Sequence, residues 1–181
     1  RPHGMELRWL PSTFRSATLG GLFGGGFGGA GSINYGPLAA PGNVLGVRVM
    51  TVEAEPQIVE LRGADAMLLH HTYGTNGIVL ELEVALSPCV PWSECVAQFE
   101  SFDNALEFAS KLTKAPGLIK KEVSFLAAPI PTYMAPLMPL FNDKQHAVMM
   151  VLAPQSLEGV EDLAKSFGGT FCYNKTAEEV L

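Results

Sequence analysis

Between Gly20 and Gly31, eight of twelve residues are glycine. No other stretch so restricts what the chain can become. Glycine adopts φ > 0 freely and has no Cβ, so another group can come close to the backbone. Each glycine still offers an N–H donor, and successive donors can line a wall that binds an anion or a carbonyl. Glycine also loses the most backbone entropy on folding. So dense a run is therefore ordered only if a ligand or a packed neighbour holds it. The run lies inside Thr18–Gly36, TLGGLFGGGFGGAGSINYG. Two overlapping sets, Gly24, Gly26, Gly29 and Gly26, Gly28, Gly31, fit a G-x-G-x-x-G spacing. Any glycine run does so by chance, and a dinucleotide fingerprint needs a strand before it and a helix opening inside it. The following residues, Ser32 to Pro37, do not read as a helix. A solvated linker is the bland alternative, but Leu22, Phe23, Phe27 and Ile33 are too apolar for one.

Composition narrows the partners. The chain has 181 residues, enough for one domain or two small ones, and a net charge of −6. It has no basic block, which argues against nucleic acid or an anionic membrane surface. At 48% hydrophobic and 17% charged, its surface is expected to be covered in part by something else. No apolar run reaches membrane-spanning length and no signal-peptide pattern opens the chain. Cys89, Cys95 and Cys172 lack metal-ligand spacing and read as reduced thiols of a cytoplasmic protein. The four histidines form no H-x-x-x-H pair, so no metal site is expected.

Along the chain, Met5 to Leu10 alternates like a strand, and Asn43 to Val52 and Gln57 to Leu61 read as a hairpin. Ala64 to His71 reads as a short helix. Ile78 to Leu86 reads as one alternating strand, with Glu81 and Glu83 on a solvated face and Leu80, Leu82 and Val84 on the other. The prolines of Ser87 to Trp92 mark a boundary, giving regions 1–88 and 89–181. Beyond it come a strand (Cys95 to Glu100) and a helix (Asp103 to Thr113) capped by Asp103, with Leu106, Ala109 and Leu112 on one face. A strand (Leu118 to Phe125) and a proline-rich insert follow. A strand (His146 to Leu152), a helix begun by Ser156 and a short strand (Thr170 to Tyr173) complete the chain. The order βαβ, insert, βαβ is the split-βαβ, ferredoxin-like pattern. Met134, Met138, Met149 and Met150 read as core filler.

The glycine segment resembles the second half of the flavin domain of the FAD-linked oxidases, the vanillyl-alcohol oxidase, glycolate oxidase and D-lactate dehydrogenase superfamily. Members show T-[IL]-G-G, a small-residue turn, Y-G, then N-V-L-G. Here these are Thr18-Leu19-Gly20-Gly21, Gly24 to Gly29, Tyr35-Gly36 and Asn43-Val44-Leu45-Gly46. The family's G-T-[LN]-G-I-[IV] has its counterpart in Gly74-Thr75-Asn76-Gly77-Ile78-Val79. The chain departs from the family where A-T-N-A-[SG]-G becomes Gly24 to Gly29, and where an acid gives way to Tyr73.

The resemblance implies an α+β chain with a mixed or antiparallel sheet. Residues 1–88 would be the second FAD subdomain, and 89–181 part of a ferredoxin-like cap, or substrate, domain. Only seventeen residues precede Thr18, so the resemblance implies that the first subdomain, with its pyrophosphate loop, lies outside this chain. It implies FAD as cofactor, held along Thr18, Gly20, Gly21, Gly25, Ser32 and Tyr35 and by the backbone of Gly77, Ile78 and Val79. The implied activity is oxidation of a small organic substrate, a 2-hydroxy acid among the candidates, by hydride transfer to flavin. Implied partners are that substrate and the missing flavin subdomain, with homo-oligomerisation open. No catalytic residue is assigned, although Tyr35, Tyr73, His70 and His71 could transfer protons. The rival reading is a non-enzymatic binding or regulatory protein whose ferredoxin-like half pairs with a partner.

Overall fold

The computed structural model describes residues 2–176. The chain divides into two compact units, Arg1–Cys89 and Val90–Leu181, both built on antiparallel sheets with helices, an α+β architecture. In the first unit, strand β1 (Met5–Leu7) precedes helices α1 (Leu19–Gly25) and α2 (Ser32–Tyr35). Strands β2 (Val44–Met50), β3 (Ile58–Arg62), β4 (Ile78–Val84) and β5 (Leu86–Pro88) follow. The β-branched β2 lies between β3 and β4, antiparallel to both. Its Val44, Val47 and Val49 turn inward against Trp9, Leu22, Phe23, Leu38, Ala66 and Leu69. The opposite face carries the ion pairs Arg48–Glu81 (2.8 Å), Arg62–Glu83 (2.6 Å) and Arg62–Glu60 (2.7 Å). Pairs this exposed contribute about 0–1 kcal/mol each.

Several elements differ from the sequence-based expectation. The strand expected over Ile78 to Leu86 breaks at Ala85, whose N–H donates to the Asn43 carbonyl at 2.9 Å. Its end becomes β5, which pairs with β1 in a separate ladder. Leu80 does not share a face with Leu82 and Val84. Arg48 pairs with Glu81 but Val49 with Val79, so Leu80 is an extra residue in the ladder and stands 44% exposed. The same happens at Leu45 on β2, between the Val44–Val84 and Gly46–Glu83 pairs. The helix expected over Ala64 to His71 is a 3-10 turn, Asp65–Leu69, because His70 is extended and His71 left-handed. Ser32 to Tyr35, expected to be irregular, forms the single turn α2. Gly31 (φ 107°) enters it and Gly36 (φ 71°) closes it.

In the second unit, β6 (Ser93–Phe99), α3 (Phe102–Lys114) and β7 (Lys120–Leu126) precede β8 (His146–Leu152), α4 (Leu157–Ser166) and β9 (Thr170–Thr176). The sheet order is β7-β8-β6-β9, with every neighbour antiparallel. Each βαβ thus has a strand of the other set between its own two, a split βαβ. Phe99, Phe108, Leu112, Val148, Met150, Leu152, Val160 and Ala164 form its core. The cap of α3 is Ser101, whose Oγ accepts from the Asn104 N–H at 3.3 Å, and Asp103 sits in the first turn. The buried face of α3 runs through Ala105, Phe108, Ala109 and Leu112, and Leu106 is exposed. Ser156 precedes α4 but makes no cap bond; its Oγ accepts from the Ile119 N–H at 2.7 Å. Of the four methionines, Met150 is core, while Met134 and Met138 are exposed.

Candidate functional site

The glycines of the Thr18–Gly36 stretch fall into two groups. The distinction is whether the chain itself needs the missing Cβ. Gly29 (φ 150°) and Gly31 (φ 107°) face the carbonyls of Leu10 and Arg8, and a Cβ at either would collide with that backbone. The close approach is a two-way bridge, with Leu10 and Ala30 exchanging N–H···O bonds of 3.0 Å. Gly26 (φ 71°) ends α1, and a Cβ there would meet the His71 ring. At Gly25 it would meet the Phe27 ring. These four glycines have intramolecular reasons.

Gly20, Gly21 and Gly24 do not. α1 begins because Thr18 caps it, its Oγ1 accepting from the Gly21 N–H at 3.0 Å. At 3.6 residues per turn, Leu19, Leu22 and Phe23 share the side that packs into the core. Gly20, Gly21 and Gly24 then form the opposite side. A Cβ built on Gly20 or Gly24 meets nothing within 4 Å, and on Gly21 only the Thr18 hydroxyl at 3.1 Å. Glycine in a helix interior destabilises it by about 1 kcal/mol relative to alanine. Here Gly20 and Gly24 bear that penalty with no contact among the described residues to require it.

The second motif meets the end of this helix. The N–H groups of His71 and Tyr73 donate to the carbonyls of Phe23 (3.2 Å) and Gly24 (2.9 Å), closing the last turn of α1. Both residues are left-handed, at φ 60° and 52°. His71 Nε2 and the Tyr73 hydroxyl lie 3.0 Å apart, and Tyr73 is 70% exposed. His70 packs edge-on to Phe23, and its Nε2 is buried without a partner. Burial, and then the neighbouring His71 charge, pull its pKa below 6.5. Gly77 (φ 145°) is buried, and a Cβ there would press on Val49 Cγ2 at 2.6 Å. Ile78, at the start of β4, is 50% exposed, whereas Val79 packs on the core.

The residues expected along a cofactor therefore separate. Thr18, Gly20 and Gly21 begin α1, and Gly25 near its end lies by the loop that leads through Gly77 to Ile78 and Val79. Ser32 and Tyr35 are engaged elsewhere. Ser32 Oγ accepts from the Gly29 N–H at 3.3 Å. The Tyr35 ring lies edge-on to Trp9 and under the Arg8 guanidinium, 4.7 Å from its centroid. Beside it is a residue that the sequence reading passed over, the buried Asn43. Its Oδ1 accepts from Arg8 Nη1 (3.0 Å), and its Nδ2 donates to the carbonyls of Tyr35 and Pro37 (2.9 Å each). The signal for it was its place at the head of N-V-L-G.

Other chemistry is sparse. Among the described residues no three His, Cys, Asp or Glu side chains are grouped to hold a metal. Burial pushes the Cys95 thiol up to about 12, which removes it as a nucleophile near neutral pH. No helix among the described residues is long and apolar enough to cross a membrane.

No protein-family model and no curated protein matches the chain. Solved structures do. One is alkyldihydroxyacetonephosphate synthase in crystal form P1, with TM-score 0.73 and 17% identity over 95% of this chain and 36% of that one. The same enzyme in form P212121 gives TM-score 0.69 and 16% identity, over the same shares. The chain thus has the fold of a part of that synthase, and spans 36% of its length.

Proposed function

We propose that the chain is the C-terminal portion of an FAD-dependent enzyme of the FAD-linked oxidase type. In this reading residues 1–88 are the second flavin subdomain and residues 89–181 part of a ferredoxin-like cap domain. The observation that carries the reading is the bare face of α1. Gly20, Gly21 and Gly24 leave a cradle that a Cβ would fill. A flat or extended cofactor fits such a face. Thr18, Gly20, Gly21 and Gly25 would hold FAD along the helix, with the backbone of Gly77, Ile78 and Val79 beyond its end. Ser32 and Tyr35 act behind this wall by fixing Gly29, Trp9 and Arg8. Bound there, the flavin would supply hydride acceptance from a small organic substrate.

A second reading keeps the cofactor and changes the reaction. It is favoured by the name of the matching structures, a synthase that makes an alkyl derivative of dihydroxyacetone phosphate. Under it the substrate would be a phosphorylated ketone rather than a hydroxy acid.

The test is flavin content. The chain is purified alone, and also within the polypeptide that supplies the upstream flavin subdomain. Each is denatured, and the released flavin is measured by absorption. Stoichiometric FAD in the longer polypeptide and little in the chain alone is the expected result. No flavin in either would return the lead to the non-enzymatic reading. Tightly held FAD in the chain alone would refute the placement of the pyrophosphate grip outside it.

A further inference from the structure

The loop that closes α1 holds two side chains in place at a conformational cost. Left-handed backbone costs an L-residue about 1–2 kcal/mol. Histidine occurs there more often than most residues, but a bulky tyrosine is an outlier. His71 (φ 60°) and Tyr73 (φ 52°) are both left-handed, separated only by Thr72. The surrounding bonds fix this shape. Thr72 Oγ1 donates to the Leu69 carbonyl (3.0 Å), Thr75 Oγ1 to the Thr72 carbonyl (2.7 Å) and Asn76 Nδ2 to the Leu68 carbonyl (3.0 Å). The result is that His71 Nε2 and the Tyr73 hydroxyl meet at 3.0 Å, on exposed side chains. Neither ring is placed there by burial. Strain of this kind at exposed polar groups points to a task for those groups.

We propose that His71 and Tyr73 form a proton-sharing dyad. It binds the hydroxyl group of a small alcohol or hydroxy acid and exchanges a proton with it. This rests on the reading of the α1 face as a cofactor and substrate site. With Nδ1 protonated, His71 Nε2 accepts from the Tyr73 hydroxyl, and the phenol oxygen is free to accept from a ligand hydroxyl. In the exchange, the ligand O–H bond breaks and its proton goes to the Tyr73 oxygen. The phenol proton passes to His71 Nε2, where an N–H bond forms. Tyr73 is regenerated, and the imidazolium charge balances the one left on the ligand oxygen. Burial disfavours the charged form of the adjacent His70.

The test uses the polypeptide with the upstream flavin subdomain, labelled with ¹⁵N in its histidine side chains, and glycolate as the probe. Its flavin content is measured first. Glycolate is expected to shift the His71 ring nitrogens saturably, and not those of His3 or His146. Tyr73→Phe keeps the ring and the backbone but removes the shared proton. It should weaken glycolate about threefold to tenfold, as the loss of one hydrogen bond does. His71→Asn, a residue that tolerates left-handed backbone, should weaken glycolate as much with the fold intact. A pair with a purely structural role would change the melting temperature of these variants and leave glycolate affinity alone. No saturable shift in the wild type, or equal affinity in the wild type and Tyr73→Phe, overturns the proposal. An absence of flavin refutes the cofactor reading instead, and is seen before glycolate is added.

Discussion

The bare face of α1 makes an unusual demand: filling it should stabilise the protein and disable it together. Consider the double variant Gly20→Ala, Gly24→Ala. Both residues are in α1, neither has a positive φ, and an added methyl meets nothing within 4 Å. Each alanine removes backbone freedom from the unfolded chain and adds about 0.5–1 kcal/mol of helix stability. The pair should contribute about 1–2 kcal/mol. For a unit of this size each kcal/mol moves the melting temperature by about 4–8 °C, so a rise of about 4–16 °C is expected in the first unit. Differential scanning calorimetry of the chain measures it. In the polypeptide with the upstream flavin subdomain, the same methyls stand where the cofactor should meet backbone, and bound FAD per chain should fall at least about tenfold. Gly31→Ala is the control. At φ 107°, and with the Arg8 carbonyl in the way, it should lower stability by about 2–4 kcal/mol. A double variant that melts higher but keeps its full flavin content would show that the bare face serves no ligand. One that melts lower would show that the face is packed against something after all.

Two further outcomes follow from buried polar groups. Asn43→Ala leaves two carbonyls without their donor and takes one acceptor from Arg8, and should destabilise the first unit by about 2–4 kcal/mol in denaturant unfolding. Equal stability would mean that water replaces the amide. The folded-state pKa of His70 is depressed below 6.5, so below that pH the unfolded chain binds more protons than the folded one. Its stabilising effect is therefore complete above pH 6.5 and is lost as pH falls toward the folded-state value. Melting temperatures between pH 5 and 8 should show this slope, and His70→Phe should flatten it.

What could be read from the chain beforehand depended on how local each cause was. The pattern Gly-Gly-Leu-Phe-Gly-Gly carries both the core side and the bare side of α1. Its N-terminus rests on a hydrogen bond from the Gly21 N–H to Thr18 Oγ1, which spans only three residues. By contrast, nothing near Gly29 or Gly31 says that they face Leu10 and Arg8, because that approach is created by tertiary folding. The parity of β4 was misread for a similar reason. Alternation predicts a face only while the ladder is regular, and the extra residues at Leu45 and Leu80 shift it by one. Left-handed backbone is announced by glycine or asparagine, so His71 and Tyr73 gave no sign of it. Asp103 lost the cap of α3 to Ser101 two residues earlier, a displacement within the ordinary scatter of helix ends.

The pairing of β1 with β5 has a consequence for synthesis. Met5 lies opposite Pro88 and Leu7 opposite Leu86, and the Cys89 N–H donates to the Gly4 carbonyl at 2.9 Å. Strand β1 therefore waits for the last residues of its unit. At about 5–20 residues per second, the intervening stretch of about eighty residues takes several seconds to emerge. During that interval β1 is without its partner strand. Sheet pairing among β2, β3 and β4 can proceed in the meantime, and so can the Leu10–Ala30 bridge, but β1 cannot pair with β5 until the ends meet. A ribosome that stalls before Leu86 would thus hold a nascent chain with its three-stranded sheet and an unpaired β1, a substrate for chaperones.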